Sequence, residues 1–267
     1  MRIQQTLTVT GAFTRTLITY PSDGLTIYGF MDLPRGQGPF PVIIALHGYV
    51  SPTVYRTLDY TTRYADALAE AGYLVLHPNL RGYPPSDSGP DLFRVGEAID
   101  TLNLITLVRE TGGKPGPLEA AESQAIGVWG HSNGGGIALR VITISPDVRA
   151  AVLYGAMSGD EKQNFEQVRI WSGGRRTPPE LSAPADALAR ISAINYLDHI
   201  QAAVSINHGA ADSEVPPAWS TDLYARLQAL HKTVEYYSYP GQNHLLQGPA
   251  DTLFIRRMIS FYDKMLK

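Results

Sequence analysis

The sequence predicts an α/β fold, with a mostly parallel central sheet, helices on both faces and a small helical insertion. Several short, continuously apolar runs read as strands buried on both faces, as parallel strands are. They alternate with longer stretches that read as helices, and this alternation is typical of a parallel sheet covered on both sides. One interval, Gly155 to Ala202, is too long for a simple crossover, and such insertions are usually functional.

The chain begins with strands rather than helices. Thr6–Val9 and Arg15–Tyr20 read as short strands, and a turn at Asp23-Gly24 leads into the alternating segment Leu25–Leu33. We expect these segments to form an antiparallel edge of the sheet. The apolar run Val42–Leu46 then predicts the first central strand.

Helices and strands alternate beyond that strand. Glycines close two of the helical stretches, Gly72 the first and Gly112-Gly113 the second. The predicted helices are Leu58–Ala71, Leu92–Glu110, the amphipathic Ala185–Leu197 and Thr252–Leu266, with others opening after Ser132 and after Asp212. The predicted strands are Tyr73–Pro78, Ala125–Trp129, Ala150–Tyr154, Ala203–Ile206 and Val234–Tyr239.

Length and composition suit one globular domain. The 267 residues, 44% of them apolar, predict one domain over residues 1–267 with a lid insertion at about 155–202. The alternative for the insertion is a surface elaboration without a role in binding. The net charge is −3 and no long charged run is present, so we expect neither nucleic acid nor an anionic membrane as a partner. The chain contains no cysteine, which excludes disulfides and thiolate nucleophiles.

The N-terminal segment lacks the features of a targeting signal. Met1 to Tyr20 is polar and rich in threonine, without the apolar core of a signal peptide. No stretch of the sequence is long and apolar enough to span a bilayer. We therefore expect a cytoplasmic protein, and the sequence leaves the oligomeric state open.

A glycine-flanked serine follows the predicted strand Ala125–Trp129. Gly130-His131-Ser132-Asn133-Gly134 has the G-x-S-x-G spacing of a nucleophile elbow, where a strand turns sharply into a helix and presents a serine. Each glycine of Gly134–Gly136 weakens a helix by about 1 kcal/mol relative to alanine. Close packing therefore explains the glycines better than helix propensity, and we predict Ser132 as a nucleophile. The alternative is a glycine-rich turn with an incidental serine.

A serine nucleophile needs a base, and the base needs an orienting acid. Where an elbow of this kind opens the site, the acid and then the histidine follow the serine in the chain. Asp212 lies in the loop after Ala203–Ile206 and is the predicted acid. Glu214 and Asp160 are rivals, and the structural alternative for Asp212 is a turn or helix-capping role.

His244 is the predicted base, because it lies late in the chain in a glycine-containing loop after the last predicted strand. A solvated surface residue is the alternative. The other histidines fit less well, since they come too early, belong to the elbow, or lie in or near helices. They are His47, His77, His131, His199, His208 and His231.

The developing oxyanion of such a reaction needs two backbone N–H donors. One is predicted at Asn133, directly after the serine, and the other in the loop after Val42–Leu46, at Tyr49 with Val50 as the second choice. Trp171, in the predicted lid, is a candidate for shaping the substrate pocket. Metal, P-loop and dinucleotide motifs are absent from the sequence, so no cofactor or metal is expected.

Several segments together resemble the catalytic domain of the prolyl oligopeptidase group and its stand-alone carboxylesterase relatives, within the α/β-hydrolases. These segments are Ser22–Gly29, Pro78-Asn79-Leu80-Arg81-Gly82, the elbow, Ile194–Leu197 and the stretch from Ile206-Asn207-His208-Gly209 through Asp212 to Pro216. The resemblance spans roughly Ser22 to Lys267. It implies an α/β-hydrolase fold with Ser132, Asp212 and His244 as a catalytic triad.

Two departures from the group favour an esterase over a peptidase. The peptidases carry a β-propeller for which this chain has no room. Many relatives have His-Gly-Gly where this chain has His47-Gly48-Tyr49, which is closer to cutinase-like esterases. The sequence therefore predicts a serine carboxylesterase for small, short-chain or aromatic acyl esters. A small serine peptidase or acylaminoacyl hydrolase is the first alternative, and a non-catalytic binding protein of the same fold is the second.

Overall fold

The computed structural model describes residues 1–59, 61–175 and 177–267. Within these residues, nine strands form one sheet in the order β1-β2-β3-β5-β4-β6-β7-β8-β9. The strands are β1 (Arg2–Val9), β2 (Phe13–Ser22), β3 (Leu25–Pro34), β4 (Phe40–Leu46), β5 (Leu74–Pro78), β6 (Ala121–His131), β7 (Val148–Tyr154), β8 (Ala203–Gly209) and β9 (Val234–Tyr239).

The sheet is parallel except at one edge. Strands β1, β2 and β3 pair antiparallel in sequence, and β3 pairs antiparallel with β5. All pairings from β5 through β4, β6, β7 and β8 to β9 are parallel. The prediction of a mostly parallel sheet with an antiparallel edge is therefore confirmed. The central strands are continuously apolar because helices cover them on both faces.

Helices pack on both faces of the sheet, as predicted. Helices α1 and α7 contribute buried side chains to one apolar cluster, and α2, α3 and α6 contribute to the cluster on the opposite face. The helices are α1 (Thr62–Glu70), α2 (Val95–Thr111), α3 (Asn133–Ile144), α4 (Glu161–Trp171), α5 (Ala185–Ile191), α6 (Pro217–Ala229) and α7 (Gly248–Leu266). In the described part of the chain, none of the helices is long and apolar enough to cross a lipid bilayer.

Four predicted helices differ from the observed ones, and the last of them, expected from Thr252, begins at Gly248. The helix expected at Leu58–Ala71 begins only at Thr62, after a stretch of turns; Tyr60 lies outside the described residues. The helix expected at Leu92–Glu110 is a short 3-10 turn followed by α2 from Val95, because Phe93 and Arg94 both have a positive φ.

The helix expected at Ala185–Leu197 also divides. Helix α5 ends at Ile191, and a 3-10 turn from Ala193 to His199 follows it. Ser192 separates the two: its hydroxyl donates to the Leu188 carbonyl at 2.7 Å and accepts the Glu161 N–H at 3.0 Å. A serine that bonds to local backbone groups competes with regular helix in this way.

The carboxyl ends of the parallel strands meet along one edge of the sheet. Ligands bind beyond such an edge in open α/β sheets. The loops after β4, β8 and β9 and the turn between β6 and α3 all lie there, and these segments carry the predicted site residues.

Candidate active site

Ser132 lies at the sharp turn between β6 and α3. Its backbone has φ 55° and ψ −117°, a positive φ that is uncommon for residues other than glycine and is found at strained functional turns. A Cβ on Gly130 would overlap the backbone of Gly134, and a Cβ on Gly134 would overlap the carbonyl of Leu46. The prediction that close packing demands these glycines is confirmed.

Asp212 and His244 are neighbours in space. Asp212 follows β8, His244 follows β9, and the His244 Nδ1 lies 2.8 Å from the Asp212 Oδ2. The other carboxylate oxygen, Oδ1, accepts the backbone N–H groups of Glu214 at 2.8 Å and Val215 at 2.9 Å. Burial raises the pKa of Asp212, but hydrogen bonds from His208, His244 and the Val215 N–H outweigh it and hold the pKa well below its ordinary value. The carboxylate is therefore ionised at neutral pH and oriented toward His244.

Among the residues that the structure describes, the two alternative acids, Glu214 and Asp160, form no hydrogen bond with His244. The Glu214 side chain is exposed, although it lies only two residues from Asp212. The Asp160 carboxylate caps α4 by accepting the Lys162 N–H at 2.9 Å. Capping of this kind is the common role of an aspartate at a helix start. Neither rival is within bonding distance of His244 in the described structure.

A second histidine bonds to the same carboxylate oxygen. His208 Nε2 lies 3.0 Å from the Asp212 Oδ2, and its Nδ1 lies 2.7 Å from the Ser220 hydroxyl. Nε2 donates to the carboxylate, and the Ser220 hydroxyl holds the other ring nitrogen, so the buried ring has a fixed orientation. The sequence does not single out His208, because this residue precedes the acid in the chain. The His-Gly pair upstream of Asp212 was the only available signal.

Further contacts hold the two loops together. The Asn243 Oδ1 accepts the N–H groups of Ser213 and of His244, each at 2.9 Å, and so joins the loop after β8 to the loop after β9. The Tyr154 hydroxyl accepts the Leu246 N–H at 2.5 Å. These bonds fix the His244 loop against the ends of two neighbouring strands.

The Ser132 hydroxyl and His244 do not form a hydrogen bond within the described structure. The elbow is nevertheless anchored beside the histidine: the Ser132 N–H donates to the Tyr154 carbonyl at 3.0 Å, and the His131 and His244 rings lie 4.6 Å apart. Catalytic hydrogen bonds of this kind often align only when substrate binds. The structure therefore brings the predicted acid and base together and leaves the serine beside them.

The buried ring of His47 holds the loop after β4 in place. The His47 ring nitrogens contact the Gly48 carbonyl at 2.7 Å and the Asn79 carbonyl at 2.9 Å. Within the described residues, the N–H groups of Tyr49 and Val50 have no acceptor, as an oxyanion donor requires. The geometry leaves both available, so the choice between Tyr49 and Val50 stays a prediction.

A buried polar cluster lies behind Asn133, the other predicted oxyanion donor. We call it the Arg94 cluster. The Asn133 amide donates to Glu97 and accepts from Arg94, each at 3.0 Å. Arg94 also pairs with Glu161, whose second oxygen accepts from Arg140 at 2.6 Å. Sequence analysis missed this cluster, because its members are far apart along the chain and match no motif.

Glu97 has an unusual protonation state for a glutamate. Complete burial and the nearby Asp91 raise the pKa of Glu97 to about 8, although the Asn133 amide and Arg94 act in the opposite direction. At neutral pH the side chain is therefore mainly a neutral carboxylic acid. It can accept the Asn133 amide without placing a negative charge behind the predicted oxyanion donor.

We predict that Glu97→Gln weakens the pH dependence of stability. A carboxyl group whose pKa is higher in the folded state binds a proton on folding, so the free energy of unfolding falls as pH rises from about 4.5 toward about 8. The wild type should lose on the order of a few kcal/mol over this range that the neutral glutamine variant retains. Chemical denaturation at about pH 5 and about pH 8, near the two limits of this range, measures the free energy of unfolding of both proteins.

Glu110→Gln is the matched control, since Glu110 lies on the same helix with an exposed side chain. Its pH dependence should follow the wild type. Equal slopes for Glu97→Gln and the wild type would show that Glu97 does not hold a proton in the folded protein.

A pocket opens directly beside Ser132. Its volume is about 550 Å³, and Tyr49, Ser132 and Asn133 are among the residues that line it. Apolar side chains form most of its wall: Met157, Phe165, Val168 and Trp171. The structure therefore places Trp171 in the pocket wall, where its indole N–H donates to the Glu214 carbonyl at 2.9 Å. This bond ties α4 of the insertion to the loop that carries Asp212.

The charged residues of the site do not form a metal centre. Among the described residues, no group of three or more histidine, aspartate or glutamate side chains is arranged to hold a metal ion.

Comparison with known families agrees with this geometry. The sequence profile described as the prolyl oligopeptidase family matches residues 118–267, more than half of the chain. The chain belongs to the prolyl oligopeptidase family. A second profile, described as the alpha/beta hydrolase fold, matches residues 41–176. The chain is thus a serine-hydrolase relative with an α/β-hydrolase fold, as its sequence motifs predicted.

Relatives of the chain include proteins of its own size and longer peptidases. It is 22% identical to the "Putative carboxymethylenebutenolidase" of Synechocystis sp., over 86% of this chain and 85% of that protein. It is 24% identical to dipeptidyl aminopeptidase BIII of Pseudoxanthomonas mexicana, over 86% of this chain. The chain spans only 35% of the length of that peptidase.

Solved structures give the same picture of the fold. The acylaminoacyl peptidase of Pyrococcus horikoshii superimposes with a TM-score of 0.77 at 19% identity, over 96% of this chain and 42% of that one. Acetyl xylan esterase 1 of Thermoanaerobacterium sp. superimposes with a TM-score of 0.72 at 18% identity, over 98% of this chain and 87% of that one. Peptidases and esterases therefore share this fold, and the site itself must separate them.

Proposed function

We propose that this protein is a serine carboxylesterase that hydrolyses small acyl esters through an acyl-enzyme on Ser132. The observation that carries the proposal is the His244–Asp212 pair, joined at 2.8 Å beside the Ser132 elbow and its pocket. A nucleophile, a base and an orienting acid are the parts that acyl transfer requires. The relatives named as esterases are consistent with this chemistry.

The proposed reaction has two halves. His244 removes the proton of the Ser132 hydroxyl as its oxygen attacks the ester carbonyl, and Asp212 stabilises the imidazolium that forms. The N–H groups of Tyr49 and Asn133 stabilise the oxyanion. His244 then protonates the leaving alcohol, and a water molecule, activated by His244, cleaves the acyl-enzyme to release the acid. All these steps use groups of this chain, and none requires a cofactor.

The pocket supports small or aromatic acyl groups. A volume of about 550 Å³ lies within the range of small-molecule sites, and a wall of Phe165, Val168 and Trp171 favours apolar or aromatic carbon. Helix α4 supplies these three side chains, so we propose that the insertion at about 155–202 covers the acyl group as a lid. The Trp171 bond to Glu214 supports this role.

Peptidase activity is the second candidate, since the family includes peptidases. A peptidase that binds the free amine of its substrate needs carboxylates that face the pocket. Glu161 is buried and paired with Arg94 and Arg140, and Glu97 is largely neutral at pH 7. The described pocket wall contains no carboxylate, and this favours the esterase.

Ester and amide substrates of the same enzyme test the proposal directly. We expect hydrolysis of p-nitrophenyl esters from acetate through decanoate, with a maximum at short or intermediate chain length, and much slower hydrolysis of aminoacyl p-nitroanilides. The measurement is kcat/KM for each substrate. Faster cleavage of the anilides than of every ester would favour the peptidase and contradict the esterase.

A further inference from the structure

The charged side chains that line the pocket are all cationic. Within the described residues, Arg94 and Arg175 line it and no aspartate or glutamate does. The rest of the lining is apolar or uncharged. A cavity walled by one sign of charge and by low-dielectric side chains attracts ligands of the opposite sign. The two arginines differ in position and in their partners.

Arg94 lines the pocket beside Asn133, the residue that follows Ser132. Its guanidinium is already engaged, since it donates to the Asn133 amide oxygen at 3.0 Å and pairs with Glu161. Its backbone is held in the left-handed region at φ 55°, directly after Phe93 at φ 59°. Arg94 is thus a fixed cation that supports the predicted oxyanion donor, and it has little capacity left for a substrate anion.

Arg175 follows the C-terminal end of α4, whose first residue, Glu161, pairs with Arg94. Pocket-lining residues recur along one face of α4 at Asn164, Val168 and Trp171 and continue to Ser172. At 1.5 Å per residue, this wall is about 12 Å long. The chain then turns at two glycines with positive φ, and the Arg175 N–H donates to the Ser172 carbonyl at 3.2 Å. Arg175 therefore lies just beyond the Ser172 end of the apolar wall, and Asn164 lies at its other end.

The guanidinium of Arg175 is available to a ligand. It forms no ion pair with any other residue that the structure describes, and its side chain is exposed. By contrast, Arg169 on the same helix is exposed but does not line the pocket. A guanidinium binds a carboxylate through two parallel N–H···O bonds, a geometry that an ammonium group cannot reproduce.

We propose that the pocket selects esters whose acyl chain ends in a carboxylate, with Arg175 as the partner of that carboxylate. The ester carbonyl would lie at Ser132, the apolar carbons of the acyl chain along Phe165, Val168 and Trp171, and the terminal carboxylate at Arg175. This inference rests on the proposed esterase function. The substrate class is that of half-esters of dicarboxylic acids, which a purely apolar acyl pocket would reject because it would bury an unpaired charge.

The test compares matched pairs of p-nitrophenyl esters. The half-esters of adipic, suberic and sebacic acid are paired with the hexanoate, octanoate and decanoate esters, so that a carboxylate replaces only the terminal methyl group. For at least one chain length we expect the wild type to prefer the half-ester in kcat/KM by about tenfold, in keeping with a charge-assisted bidentate contact. The preference should shrink as salt concentration rises, because the pocket end at Arg175 is open to solvent.

Arg175→Gln should reduce the ratio of the two kcat/KM values to about one, because the charged partner of the carboxylate is lost. Arg169→Gln, which removes an arginine from the same helix outside the pocket, should keep the wild-type ratio. An equal ratio for Arg175→Gln and the wild type would overturn the proposal. A wild type that cleaves the half-ester and the neutral ester of every pair equally well would also overturn the proposal, although the esterase function would then stand. Failure to cleave any ester would overturn both.

Discussion

The Ser132→Ala variant is expected to lose about 10⁵-fold or more in kcat for p-nitrophenyl ester hydrolysis, because removal of the nucleophile from a triad leaves only the oxyanion donors and substrate binding. Ser132 is the serine at the turn between β6 and α3, with its strained φ of 55° and its glycine neighbours. Alanine fits the same turn, so the fold should persist. The measurement is the initial rate on the best ester of the chain-length series, with circular dichroism and thermal unfolding to establish folding.

A serine at the other end of the same helix supplies the control. Ser145 lies at the C-terminal cap of α3, and its hydroxyl accepts the Asp147 N–H at 3.3 Å. Ser145→Ala should keep wild-type activity and should react with a fluorophosphonate probe, whereas Ser132→Ala should not react. Activity that survives the Ser132 substitution would refute the acyl-enzyme mechanism. A wild type that neither reacts with the probe nor cleaves esters would point to the non-catalytic binding protein.

The Asp212→Asn variant is expected to lose about 10⁴-fold in kcat, a loss comparable to that of the same change in serine-protease triads. The Asp212 Oδ2 receives N–H groups from both His244 and His208, at 2.8 and 3.0 Å. If the asparagine amide nitrogen takes the Oδ2 position, it faces two donors and His244 adopts the wrong tautomer. If it takes the Oδ1 position, it opposes the N–H groups of Glu214 and Val215. Either orientation removes the charge that stabilises the imidazolium.

Glu214→Gln is the matched control for this prediction. The residue lies two positions along the same loop, and its side chain is exposed. Because only its backbone contacts Asp212, the variant should retain activity within about threefold, the usual scatter of surface substitutions. Stopped assays of both variants, with KM determined separately, distinguish a loss of chemistry from a loss of binding. Equal activities of Asp212→Asn and the wild type would exclude Asp212 as the orienting acid.

Local sequence patterns predicted most of the fold. The apolar run at Val42–Leu46 lies within β4, and Val234–Tyr239 matches β9 to the residue. The predictions were wrong where the pattern of side chains does not reflect the backbone conformation. The helix expected from Leu92 is interrupted because Phe93 and Arg94 have positive φ values. Their energetic cost is met by contacts elsewhere, since the Arg94 side chain bonds to Asn133 and Glu161. No propensity argument includes such distant partners.

The candidate site was only partly accessible from the sequence. The elbow motif indicated Ser132, and chain order and loop placement indicated Asp212 and His244; the structure brings the last two into contact, while their catalytic roles remain predictions. Trp171 was chosen as a pocket residue and lies in the pocket wall. Sequence reasoning did not find His208 as a second partner of Asp212 or Glu97 as a largely neutral acid behind Asn133. Their roles depend on burial and on neighbours that no motif encodes.

By itself, the sequence determined the order of strands and helices, the elbow and its close-packed glycines, because these depend on residues near one another in the chain. Only the tertiary structure decided which side chains meet. Asp212 and His244 are 32 positions apart, and Arg94 and Glu161 are 67 apart. The order of the parallel strands brings the first pair together, and an ion pair between the start of α2 and the start of α4 forms the second. Which charged side chains face the pocket is likewise decided only in the folded chain.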